Sequence, residues 1–403
     1  SMSGIVTIAK NREKPVRNRH PWVFSGAIER VRGARDGDMV TVVDSDGKFL
    51  GAGYFNAKSQ IQVRLLTWVE EPIDEGWWRA RIRQAMALRH RQFPLTSEPK
   101  GFRLINAEND FLPGLVVDVY GEYLVLQAQT LFIDQIKRDL AEILLEETQA
   151  RGIYERSDID ARGREGLKTT TGMLAGEPLP ETIEIVEDGR RFLVNVAAGQ
   201  KTGFYLDQRP NRSLLRDLLQ ARSGPPARVL NLFSYTGGFG IAAQQAQGKV
   251  AGVVNVDSSA EALQQAEANS QLNGFDPASA QYIEADCFTY LREAWQQQEQ
   301  FDIIVCDPPK FASSAQQVDK AARGYKDLNL HAFRLLRAGG LLLTFSCSGA
   351  ISRDLFQKIV FGALADSGRD GQILAHLSAG PDHPVALTFP EGEYLKGLLV
   401  RVL

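Results

Sequence analysis

The feature that most constrains this fold is an alternation of apolar runs and helical segments that begins near residue 226 of the 403-residue chain. Each run reads as a buried strand, and a turn and a segment with helical spacing of apolar residues follow it. The runs are ARVLNLFS, VAGVVNVD, AQYIEAD, FDIIVCD and GGLLLTFSC. This alternation is typical of a parallel, doubly wound α/β sheet. Two further strands, GQILAHLSAG and YLKGLLVRVL, are predicted to complete it.

The chain before this sheet is predicted to form two smaller domains. Residues 1–74 contain turn residues that separate four short predicted strands, GIVTIA, DMVTVVD, FLGAGYFN and IQVRLLTW, which indicates a compact β-barrel-like module. Residues 75–190 alternate between helical segments and hairpins, which indicates a small α+β domain. Within it, residues 158–182 are polar and glycine-rich, and we expect them to be a loop. The α/β domain is then expected to cover residues 191–403.

Composition excludes several classes of protein. Three cysteines are an odd number without paired spacing, which favours a reducing compartment over a disulfide framework or a zinc site. The five histidines lack metal-ligand spacing, so no metal is expected. No run approaches the ~20 apolar residues of a membrane span, and residues 1–20 are too polar for a signal peptide. The chain is therefore expected to be cytoplasmic, without a membrane partner.

A basic N-terminal segment is the main charge feature. The net charge of −3 argues weakly against a nucleic-acid partner, but residues 1–35 hold eight basic side chains against two acidic ones. A helical segment over residues 75–93 adds more arginines. We expect Lys14, Arg17 and Arg19 to contact nucleic-acid phosphates. The alternative is the ordinary solvated surface of a small β domain.

Polar residues and glycines follow the predicted strands at the edge where ligands bind in such sheets. The first strand leads into NLFSYTGGFG, where Gly237 would let the backbone approach a ligand. Asp257 ends the second strand, at the position of a carboxylate that binds a ribose diol. Asp286 ends the third, where a polar group could meet an adenine amino group. Either aspartate could instead cap the helix that follows.

The fourth strand ends in the segment DPPKF, residues 307–311. The two prolines fix φ and so pre-organise the Asp307 carboxylate and the neighbouring carbonyls. Phe311 could stack on a flipped base. With the glycine-rich turn and the two acids before it, this ordered set resembles the class I methyltransferases that use S-adenosylmethionine (SAM). Similar Asp/Asn-Pro-Pro-aromatic motifs occur in enzymes that methylate exocyclic amines, but Lys310 interrupts that match.

A cysteine follows the fifth strand, in the segment SCS. Cys347 is expected near Asp307, because the two strands are neighbours in such a sheet, and just before a helix, whose N-terminus lowers thiol pKa values. Carbon-5 of a pyrimidine becomes nucleophilic once a thiolate attacks carbon-6, and an acid beside nitrogen-3 stabilises the charge that develops. Cys287 and Cys306 are expected to pack as small apolar side chains.

Six motifs follow one another along the chain: RHPWVFSGAI, GQKTGFYLDQRPNR, LNLFSYTGGFG, DPPKF, SCS and EYLKG. Their order resembles the bacterial 23S rRNA cytosine-5 methyltransferases that carry an N-terminal PUA domain. The resemblance implies Cys347 as nucleophile and Asp307 as its partner. We further expect Pro308 and Phe311 to lie beside the substrate base. The resemblance also implies SAM contacts from Tyr205, Asp207, Gln208, Arg209, Phe233, Gly237, Asp257 and Asp286. The alternative for FYLDQR is a strand end followed by a helix cap.

One position departs from the family pattern. Many RNA cytosine-5 methyltransferases have a second cysteine after Asp-x-Pro that helps to release the product, and Lys310 occupies that position here. Lys310 or a bound water is therefore the candidate base that removes the carbon-5 proton.

The sequence thus predicts a SAM-dependent RNA cytosine-5 methyltransferase that acts on 23S rRNA, naked or in an assembling large subunit, with a homodimer as a possible state. One rival is an RNA amine methyltransferase that acts on guanine or adenine through DPPKF. The other is an RNA-binding or assembly protein without catalytic activity. Loss of activity in Cys347→Ala would exclude the first, and measured SAM binding would exclude the second.

Overall fold

The computed structural model describes residues 4–94, 97–311 and 314–403. The chain divides into two compact units, neither of which is continuous in sequence. The first contains Ser1–Ile185, Val194–Leu206 and Pro381–Gly392, and the second contains Val186–Leu193, Asp207–Gly380 and Glu393–Leu403. The three domains expected at 1–74, 75–190 and 191–403 stay a proposal.

The first unit begins with a six-stranded sheet in the order β2-β6-β5-β4-β1-β3. Its elements are β1 (Gly4–Ile8), α1 (Lys14–Arg17), β2 (Trp22–Phe24), β3 (Ile28–Arg32), β4 (Met39–Val43), β5 (Phe49–Phe55) and β6 (Ile61–Thr67). The sequence predicted four of these strands and missed β2 and β3. β2 has only three residues, and four of the five residues of β3 are exposed, so neither shows apolar alternation. Val6, Val40 and Val63 are fully buried in the core of this sheet.

The rest of the first unit is a five-stranded sheet in the order β11-β10-β9-β8-β7. The elements are α2 (Glu75–Gln92), β7 (Gly101–Asn106), β8 (Leu115–Tyr120), β9 (Tyr123–Ala128), α3 (Leu131–Thr148), β10 (Gly152–Ser157), α4 (Ala161–Arg164) and β11 (Thr170–Gly176). Ile82 of α2 and Leu140 of α3 join the apolar core of this sheet. The loop expected over 158–182 is wrong, because that segment contains α4 and β11. β11 is glycine-rich and lacks a strand pattern in its sequence. It forms a strand through its antiparallel pairing with β10.

A hairpin of β12 (Ile183–Glu187) and β13 (Arg190–Val194) turns at Asp188-Gly189 as predicted. The second unit then builds a seven-stranded sheet in the order β16-β15-β14-β17-β18-β20-β19. Its elements are α5 (Arg209–Gln220), β14 (Ala227–Leu232), α6 (Gly238–Gln245), β15 (Val250–Asp257), α7 (Ala260–Leu272), β16 (Ala280–Glu284), α8 (Cys287–Gln296), β17 (Phe301–Cys306), α9 (Val318–Leu335), β18 (Leu336–Ser346), α10 (Arg353–Ser367), β19 (Gly371–Ser378) and β20 (Lys396–Val402).

The first five strands of this sheet run parallel, and β20 runs antiparallel to both of its neighbours. Side chains alternate between two apolar layers, one on each face. Along β17, Ile304 and Cys306 belong to one layer, and Ile303 and Val305 to the other. Burial on both faces explains why the central strands read as continuous apolar runs. The predicted doubly wound α/β sheet is confirmed.

A buried ion cluster lies at the hairpin end of the second unit. Arg212 donates to both carboxylate oxygens of Glu187, and Arg190 donates to one of them at 2.8 Å. All three side chains are almost completely buried. Burial alone would raise the pKa of Glu187, but the two guanidinium groups outweigh it and hold that pKa at about 2.

No helix in the described part of the chain combines the length and the apolar character needed to cross a membrane.

Candidate active site

The turn between β14 and α6 brings backbone N–H groups to the carboxyl end of the sheet. Three of its residues have positive φ: Phe233 (52°), Tyr235 (46°) and Gly237 (88°). The Phe233 N–H donates to the Cys287 sulfur (3.4 Å), and the Tyr235 N–H donates to an Asp257 oxygen (2.9 Å). Positive φ is costly for residues other than glycine and clusters at ligand sites. Side chains that follow the next two strands therefore fix the shape of this turn.

Asp257 and Asp286, which are predicted to bind the ribose and the adenine, have different roles in the local structure. Asp257 accepts the N–H groups of Tyr235 and Ser259, each at 2.9 Å, and Ser259 rather than Asp257 caps the next helix. Asp286 does cap its helix, because its Oδ1 accepts the Thr289 N–H at 3.0 Å. Its Oδ2 accepts no hydrogen bond from the described residues. A cap and a ligand contact are thus compatible at Asp286, and both cofactor assignments stay predictions.

Two buried polar atoms in this region fit a polar cofactor. Ser234 Oγ, in the glycine-rich turn, and Gln208 Nε2 have no hydrogen-bond partner among the described residues. Their side chains are at least nine-tenths buried, and buried polar groups normally require a partner. The hydroxyl, carboxylate and amine groups of SAM are partners of the required chemistry. Sequence reasoning missed Ser234, although it lies in the turn NLFSYTGGFG, three residues before Gly237.

The segment FYLDQR is divided between the two units. Tyr205 belongs to the first, where the Lys201 ammonium lies 4.7 Å from its ring centroid. In the second, an Asp207 oxygen accepts the Tyr394 hydroxyl at 2.6 Å. Gln208 precedes α5 without making a side-chain cap, so the capping alternative has no support from its side chain. Arg209 is the first residue of α5.

Cys347 and the Asp307-Pro308-Pro309 segment come together at the ends of two neighbouring strands. β17 and β18 are parallel, with Cys306 opposite Thr344, and the two segments leave the sheet side by side. The Cys347 sulfur lies 4.0 Å from the Pro308 carbonyl oxygen. Cys347 and Asp307 are half-buried. The arrangement places a thiol and a carboxylate segment at one edge of the sheet, as the sequence predicted.

The other two cysteines lie in different surroundings. Cys306 is fully buried, and burial raises the pKa of its thiol well above the ordinary value. Burial also raises the pKa of Cys287 to about 12, although the Phe233 N–H partly offsets this. Both thiols are therefore held in the protonated, unreactive form. Cys347 is the one cysteine of the three that is not buried.

Phe311 and Lys310 differ in exposure. The Phe311 ring lies 4.8 Å from the Tyr325 ring centroid and 6.2 Å from that of Phe288, so part of it packs on the core. The remainder is accessible, because Phe311 is half-buried. Lys310 is exposed. A base could stack only on the part of the Phe311 ring that these neighbours leave open.

The loop after Cys347 leads into the predicted helix, but it is held by a residue that sequence reasoning did not single out. Helix α10 begins at Arg353, six residues beyond Cys347, and Ser352 caps it. Lys396 of β20 instead reaches this loop and donates to the carbonyls of Ser348 (2.6 Å) and Ile351 (2.5 Å). Sequence reasoning missed the role of Lys396, although a lysine inside the apolar run YLKGLLVRVL was a visible signal.

The predicted RNA contacts lie in the first unit and are partly paired. Arg17 is 3.3 Å from Asp44, whereas Lys14 is exposed. The Arg19 guanidinium lies 5.9 Å from the Trp68 ring centroid. Most arginines of α2 are also paired: Arg89 with Asp110, Arg79 with Glu146 and Glu147, and Arg83 with Glu147.

Arg81 of α2 lies against aromatic rings, unlike the arginines of this helix that pair with carboxylates. Its guanidinium lies 4.9 Å from the Trp77 ring centroid and 5.7 Å from that of Phe111. Burial, together with the charge of Arg19, lowers the pKa of Arg81, although Glu71 opposes this. Neither Arg19 nor Arg81 forms an ion pair with a carboxylate among the described residues. We call Arg19, Trp68, Trp77, Arg81 and Phe111 the arginine–aromatic surface.

No group of three or more His, Cys, Asp or Glu side chains in the described part of the chain could hold a metal ion.

Comparison with known families agrees with an N-terminal β domain followed by a methyltransferase sheet. A family model described as a PUA-like domain matches residues 6–68, and one described as an S-adenosylmethionine-dependent methyltransferase matches residues 126–374. Among solved structures, a protein from Streptococcus mutans described as a SAM-dependent methyltransferase has a TM-score of 0.83, and a methyltransferase complexed with SAH has 0.84. Each is 22% identical and covers 98% of this chain and 99% of its own.

Closer relatives match throughout their length. The ribosomal RNA large subunit methyltransferase I of Aeromonas salmonicida is 46% identical over 404 residues, which cover 99% of this chain and 100% of the relative. The protein of the same name from Shewanella amazonensis is 45% identical and covers 100% of both chains. The chain therefore belongs to the family of SAM-dependent methyltransferases with a PUA-like domain whose curated members are named ribosomal RNA large subunit methyltransferase I.

Proposed function

We propose that this protein methylates carbon-5 of a cytosine in large-subunit ribosomal RNA through a transient bond to Cys347. The observation that carries the proposal is the position of Cys347, a half-exposed thiol 4.0 Å from the Pro308 carbonyl oxygen. Amine methylation needs no thiol beside the acceptor, whereas carbon-5 methylation does. The names of the relatives support ribosomal RNA as the substrate.

The chain's residues would act in three steps. The Cys347 thiolate attacks carbon-6, and Asp307, acting as a carboxylic acid, donates its proton toward nitrogen-3 and so stabilises the electron density that moves into the ring. Bound SAM would supply an electrophilic methyl group to carbon-5, and the electron pair of the broken sulfur–methyl bond would leave with S-adenosylhomocysteine. A base then removes the carbon-5 proton, the electron pair re-forms the ring double bond, and the carbon–sulfur bond breaks to return the thiolate. Lys310, which is exposed beside Pro309, is the proposed base, directly or through a water.

The residues at the strand ends fit SAM in this role. Asp257 and Asp286 follow the second and third strands of the sheet, where they would contact the ribose and the adenine. Ser234 and Gln208 supply the unpartnered polar atoms. The remaining proposed contacts are Tyr205, Asp207, Arg209, Phe233 and Gly237.

RNA would bind at the arginine–aromatic surface and at neighbouring Lys14 and Arg17. Guanidinium groups that lie on aromatic faces can contact phosphates and stack on bases, and they do not first have to leave a carboxylate. Phe111 is 37% exposed and could stack on an unpaired base. Arg17 is the weaker candidate, because RNA must compete with Asp44 for it.

The decisive experiment measures methyl transfer to ribosomal RNA by wild type and Cys347→Ala, with the product nucleoside identified by mass spectrometry. We expect wild type to make 5-methylcytosine and the variant to make none. The matched control is Cys306→Ala, which removes a buried thiol from the neighbouring strand β17. This variant should still form 5-methylcytosine, although its free energy of unfolding should fall by about 1–2 kcal/mol. Undiminished 5-methylcytosine formation by Cys347→Ala overturns the proposal.

The rivals predict different outcomes of the same experiment. An amine methyltransferase would produce an N-methylated purine and would keep its activity in Cys347→Ala. A protein without catalytic activity would show no SAM binding in calorimetry, in wild type or in either variant.

A further inference from the structure

Lys396 is a buried lysine in the sheet of the second unit. It begins β20, which lies between β18 and β19, and it is paired in register with Ser346. Only 2% of the residue is exposed. Lysine is almost never fully buried unless its ammonium group has partners, because removing a charge from water is costly. A lysine at this position therefore needs an explanation.

The partners of Lys396 all lie in the loop that follows Cys347. Its ammonium group donates to the carbonyl oxygens of Ser348 at 2.6 Å and Ile351 at 2.5 Å. These residues are one and four positions after Cys347, so a single side chain fixes the path of the loop. Hydrogen bonds from a charged donor are roughly twice as strong as neutral ones.

The opposite side of the loop is held by α9. The Ser346 hydroxyl donates to the Tyr325 hydroxyl at 2.9 Å, and the Ser348 N–H donates to the Ser346 hydroxyl at 3.3 Å. Cys347 thus lies between two serines whose positions are fixed. Its own side chain remains half-exposed at the edge of the sheet.

Charged and titratable groups surround Lys396 and Cys347 on several elements, and they include Tyr325 of α9 and Asp307 after β17 on the Cys347 side. Burial lowers the pKa of Lys396 to about 8, and the Cys347 thiolate and Glu393 act against this, while Arg353 and Lys310 add to it. Arg353 and Glu393 form an ion pair at 3.0 Å, which reduces the net effect of both. Because the interaction between two charges is mutual, an ammonium group that the thiolate stabilises also stabilises the thiolate.

We propose that Lys396 is a positioning residue that orients the Cys347 loop and supplies the nearby positive charge that favours the thiolate. Its relevance to catalysis rests on the proposed function, but its effect on the thiol does not. The motif EYLKG, residues 393–397, then stabilises the segments around Cys347. Besides Lys396, its Tyr394 donates to Asp207 and its Glu393 pairs with Arg353 of α10.

The test uses alkylation of the native, full-length protein by iodoacetamide, followed over pH, with the modified cysteine identified by peptide mass spectrometry. Only Cys347 should react, because Cys287 and Cys306 are buried. In wild type, the midpoint of the pH profile should lie below about 8.5, the ordinary value for a free cysteine. A wild-type midpoint at or above that value overturns the proposal without any variant.

Substitutions of Lys396 then test whether its positive charge, rather than its packing, determines the reactivity of Cys347. Lys396→Met should raise the midpoint by about one pH unit, which lowers the alkylation rate near pH 7 about tenfold, whereas Lys396→Arg should keep the wild-type midpoint. The matched control is Lys358→Met, which changes an exposed lysine of α10 and should change nothing. A folded Lys396→Met variant with the wild-type profile overturns the proposal. If that variant does not fold, the wild-type midpoint and Lys396→Arg still decide.

Methyl transfer supplies an independent readout. Lys396→Met should lower kcat at least tenfold and leave the KM for SAM within about twofold. An equal loss through KM would indicate a merely structural role and would count against the proposal. If Cys347→Ala keeps its activity, the proposed function fails. The alkylation profiles would still decide, independently, whether Lys396 favours the Cys347 thiolate.

Discussion

The carboxyl edge of the seven-stranded sheet and the arginine–aromatic surface both present polar groups to a ligand, but they hold them in different ways. At the sheet edge, backbone N–H groups fix the acidic side chains, as Tyr235 and Ser259 fix Asp257. On the surface, aromatic faces support long guanidinium side chains such as Arg81. The first arrangement is rigid and suits chemistry, and the second is adaptable and suits binding. Substitutions should therefore change rate at the edge and affinity on the surface.

The largest effect is expected from Asp307→Asn at the sheet edge. The amide keeps the size of the side chain but cannot supply a proton to nitrogen-3, so kcat should fall about 10²- to 10⁴-fold. Steady-state methyl transfer with purified RNA would measure this, with RNA affinity measured separately. If the variant weakened RNA binding instead of kcat, the contrast between the two regions would fail.

A buried ion cluster should behave unlike surface charges. Glu187→Gln leaves Arg190 and Arg212 without a carboxylate, so the free energy of unfolding at pH 7 should fall by about 3–5 kcal/mol. Urea denaturation would measure it. The control is Glu177→Gln, which removes an exposed partner of Arg151 and should cost less than about 1 kcal/mol.

The same cluster predicts a direction for pH dependence. The folded-state pKa of Glu187 is about 2 and lies below its ordinary value of 4.5. Its contribution to stability is therefore complete above about pH 4.5 and is lost as the pH falls toward 2. Between these values wild type should lose more stability than Glu187→Gln, and equal pH slopes would contradict the assignment.

A smaller effect is expected from Asp257→Ala. Calorimetry should show SAM affinity about tenfold weaker, because one charge-assisted hydrogen bond to the ribose is lost. Part of the loss would come from the turn that Asp257 holds through Tyr235. Asp257→Asn, which can still accept that N–H, should recover part of the affinity, and no recovery would indicate that the charge alone matters.

The smallest effects belong to the surface. Arg19→Ala combined with Arg81→Ala should weaken RNA binding and reduce the salt slope by about two, with kcat at saturating RNA unchanged. Arg17→Ala, whose guanidinium is already paired with Asp44, should reduce the slope by less than one. Filter binding over a range of salt concentrations would measure both. Equal slopes for the two variants would remove the distinction between paired and unpaired arginines.

The strand ends could be predicted from sequence because apolar runs mark the strands, and parallel topology places their ends at one edge. That reasoning located Asp257, Asp286, Asp307 and Cys347. It could not distinguish a cap from a ligand at Asp286, since both need an acid at the same position.

What the sequence did not reveal depends on contacts between distant segments. The pairing of Arg17 with Asp44 and of Arg79 with Glu147 is invisible in a count of charges. β11 forms because β10 offers it an edge, not because its own residues favour a strand. Sequence reasoning considered only the effect of the following helix N-terminus on the Cys347 thiol, and it did not foresee the hydrogen bonds that Lys396, 49 positions later in the chain, donates to the Cys347 loop.

The position of β20 has a consequence for how the protein is made. This strand follows the other six strands of its sheet in the chain, yet it occupies a place between β18 and β19. During translation those two strands are made before the strand that lies between them, and their axes are roughly 10 Å apart in the finished sheet. A growing polypeptide that lacks residues 396–402 also lacks the lysine that holds the Cys347 loop. Synthesis thus leaves the Cys347 loop without the hydrogen bonds from Lys396 until this last strand of the sheet has been added.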